Sequence, residues 1–110
     1  MRYQPYPFRV PMTSTPPSKA KKSFYRRLYL AFVIDAGINT VSALLEETNM
    51  PRRTLQDTLK NASDLDIAIE SHGGTKNTHY SVVDWGAIDK SWVQKNIEYI
   101  KETVGTGDPK

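Results

Sequence analysis

The stretch from residue 40 to residue 63 decides the fold, and it reads TVSALLEETNMPRRTLQDTLKNAS. Thr40 is suited to cap a short helix, whose apolar face recurs at i, i+3, i+4 and i+7 in Val41, Leu44, Leu45 and Thr48. The sequence Asn-Met-Pro at residues 49–51 must end this helix, because proline lacks an amide hydrogen and disfavours helical geometry in the residue before it. A further helix is expected from about Pro51 to Ser63, with the proline in its first turn.

This further helix has two unlike faces. Its apolar face comprises Leu55, Leu59 and Ala62. Its opposite face carries four polar side chains at i, i+3, i+4 and i+7, namely Arg53, Gln56, Asp57 and Lys60. Residues at these spacings share one side of a helix, so the apolar face is expected in the core and the polar face outside. Two short amphipathic helices joined by a tight turn predict a helix-turn-helix.

The flanking sequence predicts a helix before this unit and a hairpin after it. One helix is expected over Lys19–Asp35, closed by Gly37, and its apolar face comprises Phe24, Leu28, Ala31 and Phe32. Downstream, β-prone residues at 67–71 and 80–83 flank a turn-forming stretch at 73–77. This pattern predicts two antiparallel strands and a glycine-bearing loop.

A closing helix is expected from about residue 87 or 89 to residue 104. Its apolar stripe comprises Val93, Ile97, Ile100 and Val104. The order of elements is helix, helix, helix, hairpin, helix, and the fold class is therefore mainly α with a small β-hairpin, that is, α+β.

The composition excludes several classes of protein. A length of 110 residues fits one domain, and no run of about 18 apolar residues is present to span a bilayer. With 0 cysteines the chain can hold no disulfide, thiol nucleophile or cysteine-bound metal. A cytoplasmic location is expected.

Charge and proline are distributed unevenly along the chain. Residues 1–34 contain seven Lys or Arg and no acid, whereas residues 35–110 contain eight basic and all twelve acidic residues, a balance of −4. Five of the 7 prolines lie in residues 1–17, which are predicted to form a disordered, basic, proline-rich arm. The remaining organisation is expected to be a folded domain over 18–84, a closing helix over 85–104 and a frayed tail over 105–110.

The stretch from Asn49 to Leu59, running into Leu65-Asp66-Ile67 and a glycine-bearing hairpin, resembles the winged helix-turn-helix domains of small bacterial transcription regulators. In that superfamily the entry to the third helix commonly reads as a small or proline residue, polar residues, Thr and an aliphatic residue. The sequence PRRTL at residues 51–55 fits this pattern, and the resemblance covers about Ser23 to Tyr80. With Asp84-Trp85-Gly86 and the closing helix, the chain also looks like a small family of uncharacterised bacterial winged-helix proteins.

The resemblance implies a three-helix core, a wing and a C-terminal helix, and it implies binding to double-stranded DNA. The third helix would enter the major groove, where Arg53 and Gln56 suit the edges of guanine and adenine. Arg52, Thr54 and Lys60 would contact phosphates, which give affinity without sequence information.

The resemblance also implies contacts outside the third helix. The loop at residues 73–77 would be the wing and would lie on the DNA backbone through Lys76 and Asn77. Three lysines counted with the basic arm would add contacts without sequence preference, namely Lys19, Lys21 and Lys22.

Asp57 stands in the middle of the expected reading face, where it would repel phosphate. It could accept a hydrogen bond from a cytosine amino group, or it could pair with Arg53 one turn earlier on the helix. The pair within the helix is favoured.

Two histidines and the closing helix leave further alternatives. A hairpin could bring His72 and His79 together, but two ligands are too few for a typical zinc site, so no metal and no cofactor is expected. No arrangement of Ser, His and acid marks a nucleophile, and an enzyme is not expected. The stripe of the closing helix could pack on the first helix of its own chain or pair with a second chain, and a homodimer is favoured.

The sequence therefore predicts a bacterial transcription regulator that binds duplex DNA sequence-specifically. The alternative is a winged-helix module that binds another protein, because the chain beyond residue 34 is acidic and Trp85, Trp92 and Tyr99 suit a protein surface. Fold alone cannot decide between these two functions.

Overall fold

A computed structural model describes residues 17–74 and 78–105. Its elements are α1 (Lys19–Asp35), α2 (Val41–Thr48), α3 (Arg52–Asn61), a 3-10 turn (Ala62–Leu65), β1 (Ala68–His72), β2 (His79–Asp84), α4 (Lys90–Lys95) and α5 (Ile97–Gly105). This mainly helical α+β architecture with a two-stranded sheet confirms the fold class. The predicted arm before Pro17 and the predicted tail after Gly105 lie outside the described residues. No helix in the described ranges is long and apolar enough to cross a membrane.

Helix α1 lies at the centre of the fold. The Lys21 amide donates a 3.0 Å hydrogen bond to Ser18 Oγ, which caps the first turn. The second half of the helix is buried on nearly every side, through Leu28, Tyr29, Leu30, Ala31, Val33 and Ile34. A helix buried all round needs several partners, and α1 packs against α2, α3, α4, α5 and β2. It ends at Asp35, as expected, and Gly37 follows with a positive φ of 109°.

The turn between α2 and α3 confirms the helix-turn-helix. Thr40 caps α2 by accepting a 3.2 Å hydrogen bond from the Ala43 amide. Asn49 ends α2 in the left-handed region, with φ 59°. Met50 is buried and its amide donates to the Thr48 hydroxyl at 3.3 Å, so the turn is anchored in the core.

Helix α3 differs at both ends from the expected helix over about Pro51 to Ser63. Pro51 has an extended ψ of 149°, so it is the cap residue and does not belong to the first turn. At the other end, α3 stops at Asn61 and the chain tightens into the 3-10 turn. The tighter turn brings Ala62 and Ile67 into a small buried cluster with Ala31 of α1.

The hairpin lies against the start of α2. Strands β1 and β2 pair antiparallel with His72 opposite His79, within a residue or two of the expected bounds. Beyond the hairpin, Thr40 forms an isolated bridge with His79, and the Tyr80 amide donates to the Asn39 carbonyl at 2.9 Å. The residue that caps α2 is therefore also paired with β2.

The expected single closing helix is wrong, because the chain forms two helices separated at Asn96. The Asn96 side chain donates from Nδ2 to the Trp92 carbonyl at 2.9 Å, and its backbone amide bonds the same carbonyl at 3.0 Å. Asparagine side chains compete in this way with the regular helical hydrogen bonds. The φ of −114° at Asn96 then interrupts the helix between α4 and α5.

The loop between β2 and α4 lies directly on the chain that follows α3. The Ala87 amide donates to the Leu65 carbonyl at 3.1 Å, and Gly86 has a φ of 59°. A Cβ on Gly86 would overlap the Asp66 carbonyl group and would lie 2.7 Å from the Leu65 oxygen. Only glycine allows this approach of two backbone segments.

We expect Gly86→Ala to lower the free energy of unfolding by about 3 kcal/mol, since it combines a left-handed conformation with a backbone overlap. Thermal and denaturant unfolding followed by circular dichroism measure this change. Gly74→Ala is the control, because a Cβ there meets nothing within 4 Å. Equal stability of the Gly86→Ala protein and the wild type would contradict the described approach.

Candidate nucleic-acid interface

The outer face of α3 is polar and has no partner among residues 17–74 and 78–105. Five of its side chains are exposed, and within the described chain none of them forms a side-chain hydrogen bond or an ion pair: Arg52, Arg53, Gln56, Asp57 and Lys60. Three of the five are cationic and one is anionic. This set, called the α3 polar face below, is therefore free to contact another molecule.

The inner face of α3 fixes the orientation of the helix. Leu55 is fully buried, and Thr58 is 7% exposed with its hydroxyl donating to the Thr54 carbonyl at 2.7 Å. A buried hydroxyl that is hydrogen-bonded carries little desolvation cost. Because the inner face is fixed in this way, the α3 polar face is held in one orientation.

The ion pair favoured between Arg53 and Asp57 is not formed in the described chain. An ion pair within a helix is more stabilising when the acid lies four residues before the base, whereas Asp57 lies four residues after Arg53. An ion pair between Asp57 and Arg53 on this exposed face would therefore contribute little free energy. The carboxylate remains open to solvent.

The three lysines counted with the arm lie instead in the first turns of α1. Lys19 is exposed and has no partner in the described chain, whereas Lys22 has one. Lys21 is committed to the fold, because its Nζ lies 2.5 Å from the Tyr99 hydroxyl of α5. The same Nζ lies 5.5 Å from the centre of the Tyr25 ring, within cation–π range.

The aromatic residues near Lys21 form a packed cluster. The Tyr25 ring contacts Trp92 and Tyr99 edge to face, with centroids 6.4 Å and 5.9 Å apart. Burial raises the pKa of the Tyr25 hydroxyl above 10.0, and Tyr99 raises it further, while Lys21 lowers it. The neutral phenol therefore stabilises the fold below pH 10, and this contribution is lost as pH rises through the folded-state pKa.

The three aromatic residues assigned to a protein-binding surface are largely used inside the fold. Trp85, Trp92 and Tyr99 are each half-buried, and both tryptophans pack against the main core. Among the large hydrophobic residues that the structure describes, only Val83 is strongly exposed, at 56%. The part of the chain with coordinates thus offers little apolar surface for a protein partner.

Only the base of the expected wing is described, since Lys76 and Asn77 lie outside the described residues. At this base the ring centroids of His72 and His79 are 5.4 Å apart, so the hairpin brings the two histidines together as the sequence predicted. His72 Nε2 is hydrogen-bonded to Ser81 Oγ at 2.9 Å and lies 3.9 Å from a Glu70 oxygen. Residues 17–74 and 78–105 contain no group of three side chains suited to hold a metal ion.

The apolar stripe of the closing segment faces its own chain. Val93, Ile100 and Val104 are buried in the same core cluster as Leu28 and Leu30 of α1. Lys90 Nζ also lies 2.7 Å from Asp35 Oδ2, which joins the start of α4 to the end of α1. Of the two alternatives for the stripe, the structure shows packing within one chain.

Two features of the site were missed by the sequence reasoning. The pairing of Thr40 with β2 and the contact of Lys21 with Tyr99 both join residues that are distant in sequence. The local sequence indicates neither contact. Thr40 would cap α2 and Lys21 would lie in the first turn of α1 whether or not these contacts form. Only the approach of the hairpin and of α5 to the other helices creates them.

Three helices, a helix-turn-helix and a hairpin docked beside it define a winged helix-turn-helix domain, which is in general a DNA-binding fold. The sequence matches the family model described as winged helix-turn helix over residues 19–104. The chain therefore belongs to this winged helix-turn-helix family.

A solved structure supports the same assignment. The crystal structure of a DUF2131 family protein from Shewanella amazonensis SB2B has a TM-score of 0.75 and 33% sequence identity to this chain. The similarity covers 81% of this chain and 95% of that one. A search of curated proteins finds no match.

The different positions of Lys21 and Lys19 predict different effects of their substitution. We expect Lys21→Ala to lower the free energy of unfolding by about 1 kcal/mol, since it removes a cation–π contact and a hydrogen bond. Lys19→Ala, in the same turn and with the same gain in helix propensity, should leave stability unchanged. Parallel thermal melts compare the two, and equal midpoints would contradict a structural role for Lys21.

Proposed function

We propose that this protein binds duplex DNA sequence-specifically and acts as a transcription regulator in the bacterial cytoplasm. Helix α3 would lie in the major groove, and the loop at residues 73–77 would follow the DNA backbone. The observation that carries this proposal is the α3 polar face on the second helix of a helix-turn-helix, which is exposed and has no partner in the part of the chain that the structure describes.

The residues of α3 divide into two kinds of contact. Arg53 and Gln56 carry paired donors and acceptors that match guanine and adenine edges. Arg52, Lys60 and the Thr54 hydroxyl at the start of the helix suit phosphates. Lys76 and Asn77 of the wing, together with Lys19 and Lys22 of α1, would add backbone contacts. Lys21 is left out of this set because Tyr99 holds its ammonium group.

The charges near α3 favour approach to DNA through this helix. The exposed carboxylates Glu46 and Glu47 lie on α2, and Asp64 lies in the 3-10 turn that follows α3. These acids, on the elements before and after α3 in the chain, repel phosphates, whereas Arg52, Arg53 and Lys60 attract them. The arrangement therefore orients the protein on DNA as well as binding it.

Salt dependence of binding tests the proposal. Each phosphate contact releases about one condensed counterion, so the affinity for duplex DNA should fall steeply between low and moderate salt. We expect Arg53→Ala combined with Lys60→Ala to nearly abolish binding measured by fluorescence anisotropy on labelled duplexes. Their exposure predicts a change in stability within about 0.5 kcal/mol.

The matched control removes the same charge elsewhere. Arg27→Ala combined with Lys101→Ala also deletes two cations, but on α1 and α5, and it should retain most of the affinity. If a pool of genomic DNA is not bound by the wild type even at low ionic strength, the DNA-binding function is wrong. The protein-binding module then becomes the better explanation.

We also propose that the protein forms a homodimer, because two recognition helices about 34 Å apart can reach successive major grooves. Since the apolar stripe is covered by α1, the contact would use outward residues of α4 and α5, including Gln94, Lys95 and Glu98. Sedimentation velocity over a range of concentrations measures the association.

In that experiment, Lys95→Glu should shift the equilibrium toward the monomer, because it reverses a charge in the expected contact. Glu46→Lys on α2 reverses a charge outside the contact and should not change the equilibrium. A wild-type protein that stays monomeric at its highest soluble concentration contradicts the dimer.

A further inference from the structure

Asp57 is the only carboxylate in α3, and it lies among the cations of the α3 polar face. Its side chain is exposed and forms no ion pair in the described chain, although Arg53 is four residues before it and Lys60 three residues after it. Asp57 therefore neither caps a helix nor forms a salt bridge within the described chain.

A free carboxylate on this face has a cost. Near a DNA backbone it is repelled by every phosphate, whatever the sequence of the duplex. An ionised carboxylate only accepts hydrogen bonds, so the groups in the major groove that can offset this cost are amino donors. Cytosine presents only its N4 amino group there, whereas adenine presents its N6 amino group beside the N7 acceptor, which repels a carboxylate. Guanine presents N7 and O6 and thymine presents O4, which are acceptors that repel it.

We infer that Asp57 is a specificity-determining residue that accepts a hydrogen bond from the N4 amino group of a cytosine. This inference rests on the proposed binding of α3 in the major groove. In this role Asp57 lowers affinity for all sequences and restores it only where a cytosine faces it. It therefore contributes discrimination more than binding strength.

The position of Asp57 also restricts where that cytosine lies. Four residues of α-helix separate Asp57 from Arg53, which is about 6 Å along the helix axis. Successive bases of one strand are about 3.4 Å apart, so this separation corresponds to about two base steps where the helix follows the groove. The cytosine contacted by Asp57 should lie about two steps from the guanine contacted by Arg53.

The experiment begins by selecting preferred sites from random duplexes with the full-length wild-type protein. Each position of the selected site is then changed to the three other base pairs, and affinities are measured for the wild type, Asp57→Ala and Asp57→Asn. For the wild type, replacing the relevant cytosine by thymine should cost about tenfold in affinity. For Asp57→Ala, the two sites should differ by less than about twofold, and random DNA should bind more tightly than it binds the wild type.

Asp57→Asn adds an independent readout. Its amide can donate as well as accept, so the preference at this position should move toward bases that present acceptors. Glu47→Gln is the matched control, because it removes the same charge from exposed α2 and should leave the cytosine preference intact. Thermal melts of all variants check that folding is unchanged.

The outcomes separate this inference from the proposed function. If the wild type binds no DNA, both are overturned. If it selects a site and Asp57→Ala keeps the full preference for cytosine, the role of Asp57 is overturned and DNA binding stands. Selection of adenine, which also has an amino donor, at the position that depends on Asp57 overturns the assignment to cytosine.

Discussion

The burial of the second half of α1 on nearly all sides is the constraint on which the rest of the structure depends. Leu28, Leu30 and Ala31 have almost no exposure, and a helix in this environment requires a cover from every direction. The two short helices, the hairpin and the closing pair of helices supply that cover. With the described chain covering about 86 residues, the core is small and little of its apolar surface remains for other uses.

The same packing explains why α3 keeps an exposed polar side. Leu55 enters the core and the buried turn at Met50 holds the start of α3, so the opposite face of the helix must point outward. Trp92 and Tyr99, by contrast, pack inward against the Tyr25 ring. The exposed polar side chains of α3 and the apolar contacts within the chain thus lie in separate regions of one small domain.

Much of the fold could be predicted because its boundaries are set by local chemistry. Thr40 and the Asn-Met-Pro turn define α2 to the residue, and Gly37 marks the end of α1. The break at Asn96 could not be found from the apolar stripe, since Val93, Ile100 and Val104 face α1 on both sides of it. The spacing of polar residues predicted which side chains of α3 are exposed. The contact of Lys21 with Tyr99, which removes Lys21 from the set of free cations, depends on α5, a distant part of the chain.

Thr40 gives the domain a mechanical property. One residue supplies both the hydroxyl that begins α2 and the backbone that bridges to His79. The hairpin is therefore joined to the first turn of α2 through the Thr40 backbone, with no flexible linker between them. We expect the hairpin and the helix-turn-helix to move as one rigid body. Docking of either part would then set the orientation of the other.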